Sequence, residues 1–197
     1  MVPPLLLSRS DAQSGGYRDL SPLAALHHLG DVRLVDVREA DEFVGPLGHV
    51  PGAELVPLST VTAAAADWDR DQPVLLICRS GARSARAAIA LAGMGFQSLY
   101  NLVGGMLAWE VNALPRLRGD DTPLAQVAGQ IQACFIATAG ADTEIGKSAF
   151  AAALGPSAGT PDGLRRALRA LPAAGTASAE ECAGWVERLQ QRLAEVE

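Results

Sequence analysis

Val74-Leu75-Leu76-Ile77-Cys78-Arg79-Ser80-Gly81-Ala82-Arg83-Ser84 decides the fold, because an apolar run ends at a cysteine and a loop of small residues follows it. Four consecutive apolar residues after Pro73 read as a short buried strand. From Ser84 to Met94, Ala85, Ala88, Ile89 and Ala92 fall on one face at helical spacing, and Gly95 stops the run. The loop therefore joins a strand end to a helix start, and Cys78 faces the free N–H groups of that helix. Such groups stabilise an anion and lower a thiol pKa. Arg79 and Arg83 add full charges. Between Gln72 and Trp109 there are three arginines and no Asp or Glu, although the chain as a whole carries a formal charge of -6. This cationic island on an acidic molecule is expected to attract small anions.

Working outward, strands are expected at Leu34 to Val37, Glu54 to Leu58, Val74 to Cys78 and Ser98 to Leu102. Helices are expected after Ser21-Pro22, near Val61 to Trp68 and from Ser84 to Met94. This alternation predicts an α/β fold with a parallel sheet covered on both faces. Residues 1–16 read as a mobile tail, 17–114 as the α/β domain, 115–122 as a polar linker and 123–197 as a small all-α region. In the last, Thr122-Pro123 and Thr160-Pro161 are cap pairs and Ser178-Ala179-Glu180-Glu181 is a capping box. Leu124, Val127, Ile131, Cys134 and Phe135 make one apolar stripe; Cys182, Trp185, Val186, Leu189, Leu193 and Val196 make another. Shorter helices near Thr143 to Leu154 and Asp162 to Leu171 complete a bundle or a set of helices packed on the first domain.

Four ordered motifs within residues 18–114 resemble the rhodanese family of sulfurtransferases. They are the Cys78 loop, Leu34-Val35-Asp36-Val37-Arg38 with Asp41-Glu42-Phe43, the turn Gly48-His49-Val50-Pro51-Gly52-Ala53, and the closing Asn101-Leu102-Val103-Gly104-Gly105-Met106-Leu107-Ala108-Trp109. Val50 replaces the usual isoleucine, and Gly45-Pro46-Leu47 lengthens the approach to the turn. The resemblance implies a rhodanese-like sheet and a catalytic Cys78 that takes the outer sulfur of a donor such as thiosulfate, holds it as a persulfide and passes it to a thiol. It implies no cofactor. A substrate cradle would comprise Arg79, Ser80, Gly81, Ala82, Arg83 and Ser84, with small side chains leaving the amides free and Arg83 gripping the sulfonate. Phosphatases built on this fold resemble Cys, five residues, then Arg. Here four residues separate Cys78 from Arg83, which suits sulfur better than phosphate.

Plainer readings stand beside these. Cys78 could be a buried cysteine at a strand end. Asp36 and Arg38 are expected to support the site, and an ion pair or helix cap that organises the loops is the simpler form of that support. His49 fits a residue that holds loop backbone, and Arg86 a solvated surface charge. A second function class is a persulfide carrier or sensor that docks a partner protein, or a second copy, through residues 123–197.

Hydrophobic residues at 49% with charged residues at 19% exclude overall disorder. No apolar run is long enough for a bilayer, and Val2 to Leu7 lacks the basic flank of a secretory signal, so a cytoplasmic protein is expected. Cys78, Cys134 and Cys182 are odd in number and widely spaced, which indicates neither a disulfide framework nor a metal site. An acidic chain with a single lysine, Lys147, argues against a nucleic-acid surface. Ala141-Asp142-Thr143-Glu144-Ile145-Gly146-Lys147-Ser148 loosely fits a phosphate loop and looks like the start of dethiobiotin synthetase. Too little chain follows it for a nucleotide-binding sheet, so a helix is expected there.

Overall fold

The computed structural model describes residues 9–119, 122–140, 142–171 and 179–196, with the backbone alone at 179–181. Six strands form one sheet in the order β1-β2-β6-β5-β3-β4. They are β1 (Ser10–Gln13), β2 (Tyr17–Leu20), β3 (Arg33–Asp36), β4 (Glu54–Leu55), β5 (Val74–Ile77) and β6 (Leu99–Leu102). β5 lies between β3 and β6 with all four residues buried, and alternation divides its side chains between two cores. Val74, Leu76 and Cys78 join Ala87, Ala88 and Leu91 on one face; Leu75 and Ile77 join Leu20, Leu26 and Trp109 on the other. A continuous apolar run is what a strand covered on both faces requires.

The sheet is mixed rather than wholly parallel, because β1 pairs antiparallel with β2. The first 16 residues were expected to be a mobile tail, yet Ser10–Gln13 form an edge strand; residues 1–8 lie outside the described residues. Gly16, at φ 78°, turns the chain, and the Arg18 side chain bonds both the hydroxyl and the carbonyl of Ser10. Ser-Asp-Ala-Gln has no apolar alternation, and Asp11 and Ala12 are exposed. β4 covers two residues instead of five, but Val56 N–H still donates to Asp36 O at 2.9 Å and Leu58 N–H to Val37 O at 3.0 Å.

The helices are α1 (Pro22–Leu26), α2 (Ala40–Val44), α3 (Val61–Ala64), α4 (Ala82–Gly93), α5 (Gly105–Val111), α6 (Pro123–Thr138), α7 (Thr143–Leu154), α8 (Pro161–Ala170) and α9 (Ala179–Glu195). Thr122 caps α6 by accepting from Ala125 N–H, and Thr160 caps α8 by accepting from Gly163 N–H. The capping box expected at Ser178 to Glu181 lies outside the described residues, the α9 backbone from Ala179 excepted. α6 to α9 do not stand apart from the sheet. Val127, Ile131, Trp185 and Leu189 belong to the same buried cluster as Leu20, Leu26 and Trp109. Trp185 Nε1–H donates to His27 O at 3.2 Å, and Arg188 pairs with Asp31 at 2.6 Å. None of the helices is long and apolar enough to cross a membrane, among the described residues.

α6 and α7 answer the phosphate-loop resemblance. Residues 123–138 are a helix, not a strand, and Asp142 caps α7 by accepting from Glu144 and Ile145 N–H. Gly146 serves packing, since a Cβ there would lie 2.4 Å from Ile136 Cα. Gly146→Ala is therefore expected to destabilise the fold by about 1–3 kcal/mol through overpacking. Lys147→Ala, at a side chain paired with exposed Glu144, should stay within about 0.5 kcal/mol. Denaturant melts of both variants check this, and equal effects would remove the packing role of Gly146.

Candidate functional site

Cys78 follows the last residue of β5 and is fully buried. The loop beyond it is shorter than expected, because α4 opens at Ala82 with Gly81 as its N-cap. Gly81 sits at φ 95°, a conformation glycine adopts at no steric cost, and so aims its N–H at Cys78 Sγ, 3.1 Å away. A Cβ there would also approach Gly104 N and Leu102 O at 3.2 and 3.3 Å. The neighbouring α5 closes on the loop from beneath: Met106 N–H donates to Cys78 O at 2.9 Å and Leu107 N–H to Arg79 O at 3.1 Å. Only glycine fits at 105, where a Cβ would lie 2.2 Å from Cys78 O.

Ser84, buried in the first turn of α4, brings its hydroxyl to 3.2 Å from Cys78 Sγ. Burial raises the thiol pKa, but the Ser84 hydroxyl and the N–H groups of Ser84, Ser80 and Gly81 outweigh it and hold the thiol below its ordinary value. Ser80, Gly81 and Ser84 thus converge on the sulfur. Arg79 and Ala82 sit exposed on the rim.

Arg83 has a partner the sequence reading did not assign. Its guanidinium forks onto Glu42 of α2, with two bonds of 2.7 Å. The Arg83 hydrogen bonds, against some burial, lower the Glu42 carboxyl from 4.5 to about 2. Behind it, Asp36 and Arg38 are both fully buried and ion-paired at 2.6 Å. Arg38 also donates to Glu42 O at 3.1 Å and Gly48 O at 2.7 Å, so the pair organises loops. His49 does the same: it stacks on Phe43 with centroids 3.7 Å apart and meets Phe43 O and Gln126 Nε2 through its two nitrogens. Among the described residues no group of three or more His, Cys, Asp or Glu converges as a metal-ligand set.

A cysteine at the strand end, cradled by the helix start and closed from below by a Gly-Gly turn, matches the family profile described as rhodanese-like domain over residues 19–112. The chain belongs to the rhodanese-like family. It is 36% identical over 85 residues to a sulfurtransferase of Allochromatium vinosum, covering 43% of this chain and 78% of that protein. It is 32% identical over 80 residues to the thiosulfate sulfurtransferase GlpE of Pseudoalteromonas translucida, covering 41% and 74%. An uncharacterized protein of Bacillus subtilis, YqhL, is 43% identical over 77 residues, covering 39% of this chain but only 60% of that protein. Among solved structures, a rhodanese-related protein of Thermoplasma volcanium aligns with a TM-score of 0.48 and 24% identity, over 52% of this chain and all of that one. Sulfurtransferase relatives support a sulfur-transfer role. The family match stops before α6.

Glu42, Asn101 and Asp19 are the site neighbours that sequence reasoning passed over. Glu42 and Asn101 lay inside quoted rhodanese motifs, but nothing in the spacing told that Glu42 crosses to Arg83, 41 residues on. The Glu42 pKa is depressed on folding, so the pair contributes stability that is complete above pH 4.5 and is lost as pH falls toward 2. Glu42→Gln should therefore be less stable than wild type at pH 6, with the gap narrowing between pH 4.5 and 2. Urea melts across that range check it; a gap independent of pH would mean that Glu42 contributes through packing alone.

Proposed function

We propose that this chain is a sulfurtransferase that carries sulfane sulfur as a persulfide on Cys78. The observation that carries the reading is the cradle: a sulfur of lowered pKa at the end of β5 with the Gly81 N–H and the Ser84 hydroxyl within hydrogen-bond reach. The Cys78 thiolate attacks the outer sulfur of a small anionic donor such as thiosulfate. A new S–S bond forms, the donor S–S bond breaks, and its electron pair leaves with sulfite. An acceptor thiolate then attacks the outer persulfide sulfur, carries it away and regenerates the Cys78 thiolate.

Cys78 is buried beneath exposed Arg79, Ser80 and Ala82, so the donor approaches over these three. The N–H groups that stabilise the thiolate then stabilise the persulfide anion. For Arg83 to grip a sulfonate it exchanges the Glu42 carboxylate for two of the donor's anionic oxygens, which can accept from the same planar fork. The reading as a partner-docking carrier has less support, since the apolar stripes of α6 and α9 are buried in the cluster they share with the sheet.

Intact-mass spectrometry after thiosulfate treatment tests the proposal. Wild type should gain one sulfur atom on Cys78, and Cys78→Ser none, while Cys134→Ser and Cys182→Ser retain it. Burial pushes the Cys134 thiol up, away from reactivity. Sulfur uptake by Cys78→Ser equal to wild type would sink the reading.

In steady-state assays, Arg83→Ala should raise the thiosulfate requirement about ten- to a hundredfold, because it removes the donor's charge-assisted contact and also leaves the Glu42 carboxylate unpaired against an anionic donor, and Arg79→Ala less. Equal, small effects would leave donor binding to the loop amides alone.

A further inference from the structure

The Ser84 hydroxyl has one proton and three acceptors within reach: Asn101 Oδ1 at 2.6 Å, Gly81 O at 3.1 Å and Cys78 Sγ at 3.2 Å. Asn101 is buried on β6 and lies directly across from Asp19 of β2. Its Nδ2 donates to Asp19 Oδ1 at 2.8 Å. That bond fixes the amide, because the flipped orientation would set Oδ1 against a carboxylate oxygen. Asp19 therefore keeps an acceptor, not a donor, pointed at Ser84.

We infer that Asp19 and Asn101 are positioning residues that compete with Cys78 for the Ser84 proton and so hold part of the sulfur in its neutral thiol form. In the resting state the chain of donors runs from Cys78 S–H to Ser84 Oγ and from Ser84 O–H to Asn101 Oδ1. When Cys78 ionises, its proton goes to solvent. The Ser84 hydroxyl then turns to the thiolate, and the 2.6 Å bond to Asn101 breaks. Gly81 N–H points at the sulfur in both states. Ser84 thus acts as a two-position rotor whose resting position is set from the neighbouring strands. The inference rests on the reading of Cys78 as the reacting thiol.

The test is the pH dependence of iodoacetamide alkylation at Cys78, followed on the full chain by mass spectrometry. Ser84→Ala should move the inflection to higher pH. Asn101→Ala should move it down by about 0.3 to 1 pH unit, the worth of one hydrogen bond. Asp19→Asn should act in the same direction, because Asn101 can then flip and donate to Ser84. In the Ser84→Ala background neither substitution should shift the inflection further. Asp19→Asn, on a half-buried side chain, decides the matter if Asn101→Ala does not fold. No shift from either substitution, or a shift of equal size without Ser84, would overturn the inference, the latter by showing a plain charge effect. Sulfur uptake from thiosulfate is measured in the same variants. Its absence from wild type, with the pH shifts intact, counts against the sulfur-transfer reading and not against the rotor.

Discussion

A fully buried arginine holds this site together. The Arg38 guanidinium is tolerable there because its nitrogens are matched: Nε and Nη2 to the Asp36 carboxylate, Nη2 also to Gly48 O, and Nη1 to Glu42 O. Removing water from an unpaired charge of this kind would cost several kcal/mol, about half or more of a typical domain's stability. The loops that supply the acceptors are thus placed by a requirement of charge, more strictly than apolar packing would place them. α2 and the Gly48 to Gly52 turn must both come to the end of β3.

From that point the constraint runs in two directions. α2, anchored at the Glu42 carbonyl, presents the Glu42 carboxylate to Arg83 in the first turn of α4, and so fixes the outer wall of the Cys78 loop. The turn, anchored at Gly48, is gripped from its far side by α6. Gly52 N–H donates to Gln126 Oε1 at 2.8 Å, and Gln130 Nε2–H to Pro51 O at 3.3 Å. Gly52 is itself required, since a Cβ there would lie 2.2 Å from Gln130 Nε2. Leu117 and His49 exchange backbone bonds of 2.9 and 3.0 Å, tying the chain just before α6 to the same turn. The C-terminal helices, outside the family match, thus connect to the candidate site through the Gly48 to Gly52 turn, Arg38 and Glu42.

Much of this was legible in the sequence where a feature is local. The apolar run of β5, the helix after it, and the Thr-Pro caps of α6 and α8 depend on neighbours within a few residues, and they lie where spacing puts them. Features made by contact across the chain were not. The polar stretch Ser10–Gln13 becomes a strand only because β2 offers it a partner. Gly146 read as part of a nucleotide motif because its true reason, the Ile136 backbone, lies ten residues away in another helix. Glu42 and Asn101 were visible as motif letters, but the sites they serve belong to other elements.

The cationic island shows the same limit most clearly. Three arginines without an acid between Gln72 and Trp109 read as a positive site, yet Arg83 folds onto a carboxylate from outside that segment. The groups that lower the Cys78 pKa are a hydroxyl and three backbone N–H groups. Dipoles aimed at one point do not disperse over the surface as mobile side-chain charges do, and they are little screened by salt. Under the proposed function they serve a thiolate and a persulfide anion alike, because neither requires a counter-charge to move. Under the proposed function, Arg83, held by Glu42 until a donor arrives, meets the donor's other end by exchanging one anion for another. In that proposed reading the loop separates two tasks: dipoles stabilise the sulfur, and a replaceable ion pair meets the donor.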